Sequence, residues 1–250
     1  MPQFHPVFFV GAGPGSADHL TMAAARALSA AEVVIHDRLV GAEVLELAPP
    51  QARRIDVGKE GFGASTAQSE INRILVEAAQ SGARVVRLKG GDCGVFGRLD
   101  EEIEALEAQG LIFRILPGLT TASVAAAAIG QSLTKRGRNT GLRILTGHVM
   151  EGFAEQDWRG LARPGEVAAI YMGKKSARYL QGRLMMHGAS PETAVTVVEN
   201  VSRDDQRILS ATLATLPTAV AELSGPAILL YGLAPRAAAP AIDQLKEARA

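Results

Sequence analysis

The feature that most constrains the fold is a regular alternation of short apolar runs and helix-like patterns in the first half of the sequence. The apolar runs occupy residues 7–10, 33–35, 53–57, 84–88 and 111–116, and the helical patterns fall at 20–30, 66–80 and 99–109. Within the second helical pattern, Ile71 and Leu75 share one face with Ala78 or Ala79. Repetition of strand and helix predicts an α/β fold with a mostly parallel sheet.

The second half of the chain carries more strand-like runs and fewer helical patterns. These runs lie at residues 142–146, 167–172, 194–198, 206–211 and 226–231. Their density predicts a second α/β lobe with a mixed sheet. A polar, basic, glycine-spaced stretch between the halves indicates a linker. We therefore expect lobes at 1–133 and 142–236, a linker at 134–141 and a loose tail at 237–250.

Two glycine-rich loops follow apolar runs directly and indicate a small-molecule pocket. The first is Gly11-Ala12-Gly13-Pro14-Gly15, and the second begins with Gly90-Gly91-Asp92. Glycine lets the backbone approach a ligand, and open α/β sheets bind ligands beyond the carboxyl ends of their strands. Dinucleotide binding is disfavoured, although Asp37 follows at a suitable distance. Ser16 stands where the motif needs its third glycine, and Pro14 removes a backbone N–H.

Composition disfavours several classes of partner. Lys+Arg and Asp+Glu both number 26, so no overall positive charge attracts nucleic acid or an anionic membrane, and aromatic residues that could stack on bases make up only 4% of the chain. The five histidines lack the spacing of metal ligands, so we expect no metal. Cys93, the single cysteine, is expected to be a small packed residue. With no membrane-length apolar stretch and no signal-peptide pattern, we expect a cytoplasmic protein.

Seven motifs in order along the chain resemble those of the tetrapyrrole methylase family. They are Gly11-Ala12-Gly13-Pro14-Gly15, His36-Asp37-Arg38-Leu39-Val40, Val57-Gly58-Lys59, Leu88-Lys89-Gly90-Gly91-Asp92, Val95-Phe96-Gly97-Arg98, Pro117-Gly118-Leu119-Thr120-Thr121 and Thr146-Gly147-His148. The resemblance implies two α/β lobes with S-adenosylmethionine bound in the cleft between them, and a homodimer. It further implies that two successive methyl transfers convert uroporphyrinogen III, by way of precorrin-1, to precorrin-2.

The resemblance also implies which residues form the site. The positions that match the family's methyl-donor pocket are Pro14, Gly90, Gly91, Asp92, Val95, Thr120, Thr121, Met172, Val201 and Ala227. On the same match, Asp37 is the candidate proton acceptor and Lys59 the candidate proton donor. Arg98 is a third candidate, which either assists deprotonation or binds a carboxylate of the substrate.

Each of the three candidate catalytic residues has a simpler alternative. Asp37 could cap the following helix, Lys59 could be a solvated turn residue, and Arg98 could pair with the acidic residues at 100–102. The basic residues near the linker have two interpretations as well. In one interpretation, Lys135, Arg136 and Arg138 bind the carboxylates of a tetrapyrrole together with Arg38 and Lys174. In the other, they belong to a solvated loop.

Two other functions stay open at this stage. A methylase of the same superfamily could act on a later corrin intermediate, because the size of the pocket is not visible in the sequence. A non-catalytic protein that binds an adenosyl ligand could use the same scaffold, since fold alone does not determine function.

Overall fold

The computed structural model describes residues 5–58, 66–149 and 152–236, and the chain divides into two compact units, Met1–Thr121 and Ala122–Ala250. Both units have the α/β architecture that the sequence predicts. In the described parts of the chain, each helix is too short or too polar to cross a membrane. The expected tail at 237–250 lies outside the described residues.

The first unit is built on a five-stranded sheet in which all neighbouring strands are parallel. The strands are β1 (Val7–Gly11), β2 (Val33–His36), β3 (Arg53–Asp56), β4 (Val85–Lys89) and β5 (Phe113–Leu116). Their order across the sheet is β3-β2-β4-β1-β5. Four helices accompany them, together with a 3₁₀ turn at Ala17–His19: α1 (Met22–Ser29), α2 (Ala42–Glu46), α3 (Gln68–Gln80) and α4 (Leu99–Glu107). This confirms the predicted parallel sheet.

Helices cover both faces of this sheet because successive side chains of a strand point to opposite sides. On one face, Phe9 and Ile35 pack with Ile71, Leu75 and Leu106 from the helices α3 and α4. On the other face, residues of α1 and α2 such as Leu28 and Val44 pack against the alternate strand residues, which include Val10, Val34 and Leu88. The predicted face of the helix at 66–80 is confirmed, since its four named positions are buried.

The second unit contains a mixed five-stranded sheet and a short hairpin. The sheet strands are β6 (Arg143–Thr146), β9 (Ala168–Tyr171), β10 (Ala194–Glu199), β11 (Arg207–Thr212) and β12 (Ala227–Tyr231), and the hairpin strands are β7 (His148–Val149) and β8 (Gly152–Phe153). The sheet order is β11-β10-β12-β9-β6, with only the β6–β9 pair parallel. The helices are α5 (Thr121–Ala128), α6 (Trp158–Leu161), α7 (Ala177–Met186) and α8 (Leu216–Ala219).

The division between the units differs from the expected boundary. We expected residues up to 133 in the first lobe, whereas the division falls after Thr121. The reason is the packing of α5, whose Ala122 and Ala125 join Ile129 in a core with Ala169 and Leu230 of the second sheet. The expected linker at 134–141 therefore also falls within the second unit, where Lys135 and Asn139 form a β-bridge.

Candidate active site

Three glycines from three loops meet at the carboxyl edge of the first sheet. Gly11 ends β1, Gly91 follows β4 and Gly118 follows β5, and β1 lies between the other two strands. A Cβ atom built on Gly11 would lie 2.5 Å from the Gly118 nitrogen and 2.8 Å from the Gly91 oxygen. Any side chain here would push the loops apart. The backbones of the three loops can therefore pack this closely only with glycine at positions 11 and 118.

Backbone hydrogen bonds lock the first two glycine loops together. Gly13 and Gly91 exchange N–H···O bonds of 3.1 and 2.7 Å, and the Ala12 N–H donates to the Lys89 oxygen at 2.8 Å. Gly13 and Gly91 both have a φ of +70°, in the left-handed region that glycine tolerates. Pro14 follows this pair directly, so the candidate methyl-donor residue lies in a loop whose conformation the pairing fixes.

Asp92 connects the second glycine loop to the third. Its Oδ1 accepts the Gly94 N–H at 2.9 Å, and its Oδ2 accepts the Gly118 N–H at 2.9 Å. An ionised carboxylate accepts about four hydrogen bonds, so capacity for a ligand is left. Asp92 is thus first a structural clamp that holds both loops, a role that the sequence analysis did not assign to it.

Asp37, the candidate proton acceptor, follows β2 at the same edge of the sheet and is held by a buried arginine. Its Oδ1 accepts a hydrogen bond of 2.6 Å from Nη2 of Arg87, and its side chain remains 32% exposed. Among the described residues its Oδ2 has no hydrogen-bond partner. One oxygen is therefore fixed by the protein, while the other makes no hydrogen bond with the described part of the chain.

The arginine that holds Asp37 belongs to a cluster of buried charges. Arg87 and Lys89 come from β4, and Glu102 comes from the first turn of α4. Glu102 accepts hydrogen bonds of 3.0 Å from both Nε and Nη2 of Arg87, and one of 2.6 Å from Nζ of Lys89. Burial opposes the charge of Arg87, but Asp37 and Glu102 together raise its pKa above the usual value. Burial and the nearby charge of Arg87 lower the pKa of Lys89.

Arg98 lies at the exposed start of α4 and pairs with an acidic neighbour. Its Nε and Nη2 donate to the two carboxylate oxygens of Glu101 at 2.7 and 2.6 Å. Arg98 has a φ of +53°, an uncommon conformation for a residue with a side chain. The structure thus shows the surface pair considered as an alternative, while the guanidinium stays half-exposed. Lys59, the candidate proton donor, lies outside the described residues.

The remaining methyl-donor candidates of the first unit lie in the loops that follow β4 and β5. Gly90 packs against Leu39, with 3.1 Å between the Leu39 Cβ and a Cβ built on the glycine. A Cβ built on Gly91 would have only Thr121 Oγ1 within 4 Å among the described atoms, so the space in front of this glycine is open. Val95 and Thr120 are partly buried. These loops therefore leave a space in front of Gly91 that a side chain would fill and that is suitable for a ligand.

The candidates of the second unit lie together at one end of its sheet. The antiparallel register of β9, β10 and β12 brings the end of β9 and the end of β10 beside the start of β12. Met172 follows β9, Val201 follows β10 and Ala227 begins β12. Met172 is 50% exposed and has a φ of +54°. The sequence match thus selects three residues that this unit does bring close together.

The loop before β12 is held by the side chains of Glu199 and Lys174. Glu199 is buried and its Oε1 accepts the Gly225 N–H at 2.6 Å. Lys174 donates to the oxygens of Leu223 and Gly225 at 3.0 and 2.9 Å. Lys174 therefore holds a loop, and it is not a free cation for a substrate carboxylate. Arg138 likewise binds backbone and side-chain oxygens of its own loop, at Ser132 and Asn139.

The residues that sequence reasoning missed are the charged partners of Asp37. A signal for them exists, because Arg87 and Lys89 alternate in an otherwise apolar strand and so point to one face of a central β-strand. Two buried cations on one face require a buried anion. In the described part of the chain, no group of three or more acidic, histidine or cysteine side chains could hold a metal ion.

Comparison with known proteins places the sequence beside methylases of tetrapyrroles. Residues 6–217 match the model of the family described as Tetrapyrrole (Corrin/Porphyrin) Methylases. The siroheme synthase of Edwardsiella ictaluri is 42% identical over 226 residues, which cover 90% of this chain and 49% of that protein. The chain thus spans about half the length of the curated relatives it matches.

Solved structures support the same fold. The uroporphyrin-III C-methyltransferase of Thermus thermophilus, in complex with S-adenosyl homocysteine, has a TM-score of 0.76 and 35% identity, over 91% of this chain and 92% of that one. A cobalt precorrin-4 methyltransferase of cobalamin biosynthesis has a TM-score of 0.81 at 24% identity, over 91% of this chain and 94% of that one. The second likeness concerns the fold alone.

Proposed function

The chain belongs to the tetrapyrrole methylase family, and on that premise we propose that it converts uroporphyrinogen III to precorrin-2 by two successive methyl transfers through precorrin-1, with S-adenosylmethionine as the methyl donor. The general reaction, methylation of a tetrapyrrole with S-adenosylmethionine, is that of the family. The observation that carries the proposal is the meeting of the three glycine loops at the sheet edge where Asp37 also lies.

The residues present suit the methyl donor. The open space in front of Gly91 and beside Thr121 accepts a ligand where a side chain would otherwise stand. Pro14, Gly90 and Val95 line the same loops, Thr120 adds a polar side chain, and Asp92 retains capacity to accept a donor group of the ligand. Met172, Val201 and Ala227 stay predicted methyl-donor residues on the family match, as apolar contacts of the ligand. When bound, S-adenosylmethionine supplies an electrophilic methyl group.

The protein's own contribution is positioning and proton transfer. Reduced pyrroles are already nucleophilic at carbon, so binding in the correct orientation is worth up to about 7–11 kcal/mol of the barrier in ideal cases. After the new carbon–carbon bond forms, one proton must leave the ring system. Asp37 is proposed to take it with Oδ2, and such acid–base assistance is worth about 10²–10⁴-fold. Lys59 as proton donor and Arg98 as carboxylate ligand stay predictions, as does the homodimer.

Two observations weigh on the alternative functions. The likeness to the Thermus thermophilus enzyme extends over most of both chains at 35% identity, whereas the likeness to the later corrin methyltransferase is at 24%. Asp37 is held by a buried arginine while its side chain stays 32% exposed, an arrangement that suits proton transfer and that simple binding of an adenosyl ligand does not require. We therefore favour catalysis on uroporphyrinogen III over both alternatives.

The test is an anaerobic incubation of the purified chain with uroporphyrinogen III and labelled S-adenosylmethionine. We expect two labelled methyl groups per macrocycle and the absorbance of precorrin-2. Asp37→Asn keeps the shape of the side chain but removes the base, so the rate should fall by about 10²–10⁴-fold. Glu104→Gln, an exposed carboxylate on α4, is the matched control and should leave the rate unchanged.

The outcomes separate the three functions. Binding of S-adenosylmethionine without any transfer would contradict the proposal, and transfer to a later corrin but not to uroporphyrinogen III would replace it with the superfamily alternative. Binding with no transfer to either substrate would favour the non-catalytic protein. If Asp37→Asn were as active as the unaltered chain, the assignment of the proton acceptor would be wrong while the reaction itself stood.

A further inference from the structure

Three charged side chains lie almost completely inside the first unit, although the proposed reaction does not use them directly. Arg87 and Glu102 are each 1% exposed, and Lys89 is 4% exposed. Burying charges is costly even when they are paired, and apolar residues of similar volume are often at least as stable. Stability alone is therefore a poor reason for this cluster, and its geometry indicates a different role.

The cluster fixes the orientation of one guanidinium. Glu102 binds Arg87 with both carboxylate oxygens, on the edge that carries Nε and Nη2, and each distance is 3.0 Å. Nη1 of Arg87 donates to the backbone oxygen of Leu88 at 3.2 Å. A planar group held on two sides cannot rotate or shift without breaking several buried hydrogen bonds.

The same guanidinium holds the proposed base. Nη2, already bound to Glu102, also donates to Oδ1 of Asp37 at 2.6 Å. Asp37 follows β2, Arg87 lies in the neighbouring strand β4, and Glu102 comes from α4, so the chain of contacts links three elements. Lys89 gives Glu102 a second cationic partner at 2.6 Å and balances the cluster at two positive and two negative charges.

We propose that Glu102 is a positioning residue that acts through Arg87 to hold the carboxylate of Asp37 in place for proton removal. The inference rests on the proposed function, because it assumes that Asp37 accepts a proton. Glu102 itself is too deeply buried to touch a substrate. With Oδ1 fixed, Oδ2 keeps a constant direction, and displacement of a reacting group by about 1 Å can cost about 10²-fold in rate.

A double-mutant cycle in kcat separates positioning from general support of the fold. Methyl transfer to uroporphyrinogen III is measured at saturating substrates for the unaltered chain, Glu102→Gln, Asp37→Asn and the double variant. Glu102→Gln should lower kcat by about 10- to 100-fold with little change in the KM for S-adenosylmethionine. In the Asp37→Asn background the same change should alter kcat less than about twofold, because the group that Glu102 positions has already lost its function.

Two further variants distinguish a loss of positioning from a loss of folded structure. Lys89→Met/Glu102→Gln removes one charge of each sign and so leaves Arg87 paired with Asp37 without an extra buried cation. It should show the same loss of kcat if positioning is the cause. Glu104→Gln on the exposed face of α4 should behave as the unaltered chain does. Binding of S-adenosyl homocysteine, measured by calorimetry, verifies that each variant is folded.

The results distinguish this inference from the function on which it rests. If the unaltered chain transfers no methyl group to any reduced tetrapyrrole, the proposed function and this inference are both contradicted. If the unaltered chain is active, two results contradict the inference alone. One is a kcat of Glu102→Gln within twofold of the unaltered value. The other is a double variant in which the fold-reduction of kcat equals the product of the fold-reductions of the two single variants.

Discussion

Glu101 and Glu102 are neighbours in the first turn of α4, and each binds an arginine with both carboxylate oxygens. The Arg98–Glu101 pair is about half exposed on both sides, whereas the Arg87–Glu102 pair is 1% exposed on both sides. The geometry of the two ion pairs is nearly the same, but their surroundings are opposite. Burial, more than hydrogen-bond geometry, therefore decides what an ion pair contributes to stability and to function.

The largest expected difference between the two pairs is in folding stability. Glu102→Gln leaves Arg87 and Lys89 with too little negative charge inside the protein, and breaking a buried pair in this way costs about 3–5 kcal/mol. Glu101→Gln removes an exposed partner and should lower the free energy of unfolding by no more than about 1 kcal/mol. Urea unfolding of both variants under one set of conditions measures the two losses. Equal losses would mean that the surroundings of the two pairs do not matter.

This contrast was not visible in the sequence. Residues 100–102 form a uniform acidic run after Arg98, and we considered them together as possible surface partners of that arginine. The phase of the helix separates them, because Glu102 lies on the same stripe as Leu99, Ile103 and Leu106, which pack against the sheet. A buried glutamate on an apolar stripe can be predicted only when its partners in β4 are recognised as buried cations.

Other parts of the fold were predictable because local patterns agree with the final packing. All five strands of each main sheet coincide with apolar runs in the sequence, since strands with one or two buried faces need such runs. The helix α5 was missed, because its alanine-rich sequence is apolar on all sides and gives no helical periodicity. Missing α5 also displaced the expected boundary between the lobes.

The candidate site was predicted in part. The family motifs selected Asp37, the glycine loops and the three residues at one end of the second sheet, and the structure brings each of these groups together within its own unit. The roles of Asp92 as a clamp and of Lys174 as a loop tether were not predictable, because their partners are backbone groups far away in sequence. Sequence motifs identify residue types at a site but not the hydrogen bonds that those residues make.

Lys89, a member of the buried cluster, gives a second contrast with the exposed pair, which appears at alkaline pH. Burial first, and then Arg87, lower the pKa of Lys89 below its ordinary value of 10.5, although Glu102 and Asp37 oppose them. In the pH range between the folded and the ordinary pKa, the unfolded chain binds more protons than the folded one. Stability from this group therefore rises with pH across that range.

The measurement is a difference between the unaltered chain and Lys89→Met, which fills similar space without the charge. The unfolding free energy of the unaltered chain, minus that of the variant, should increase from neutral pH toward pH 10.5. The difference cancels the titration of the tyrosines. The charge of Lys89 acts on the pKa of Cys93, so both chains are measured in a Cys93→Ala background. A difference that falls as pH rises would show that Glu102 stabilises the ammonium more than burial destabilises it.

The smallest expected effect concerns the exposed pair and the way in which solvent weakens it. The hydrogen bonds from Arg98 lower the pKa of Glu101 below its ordinary value of 4.5, so this contribution to stability is present above that value and is lost as the pH falls through the folded pKa. The loss of stability caused by Glu101→Gln should therefore disappear in acid.

The loss of stability caused by Glu101→Gln should also shrink in 1 M salt, where charges are screened beyond about 3 Å. The loss caused by Glu102→Gln should persist in the same salt, because buried charges are screened far less. A salt-resistant contribution from Glu101 would mean that the start of α4 is shielded from solvent in the folded protein, and the two pairs would then differ in partner rather than in environment.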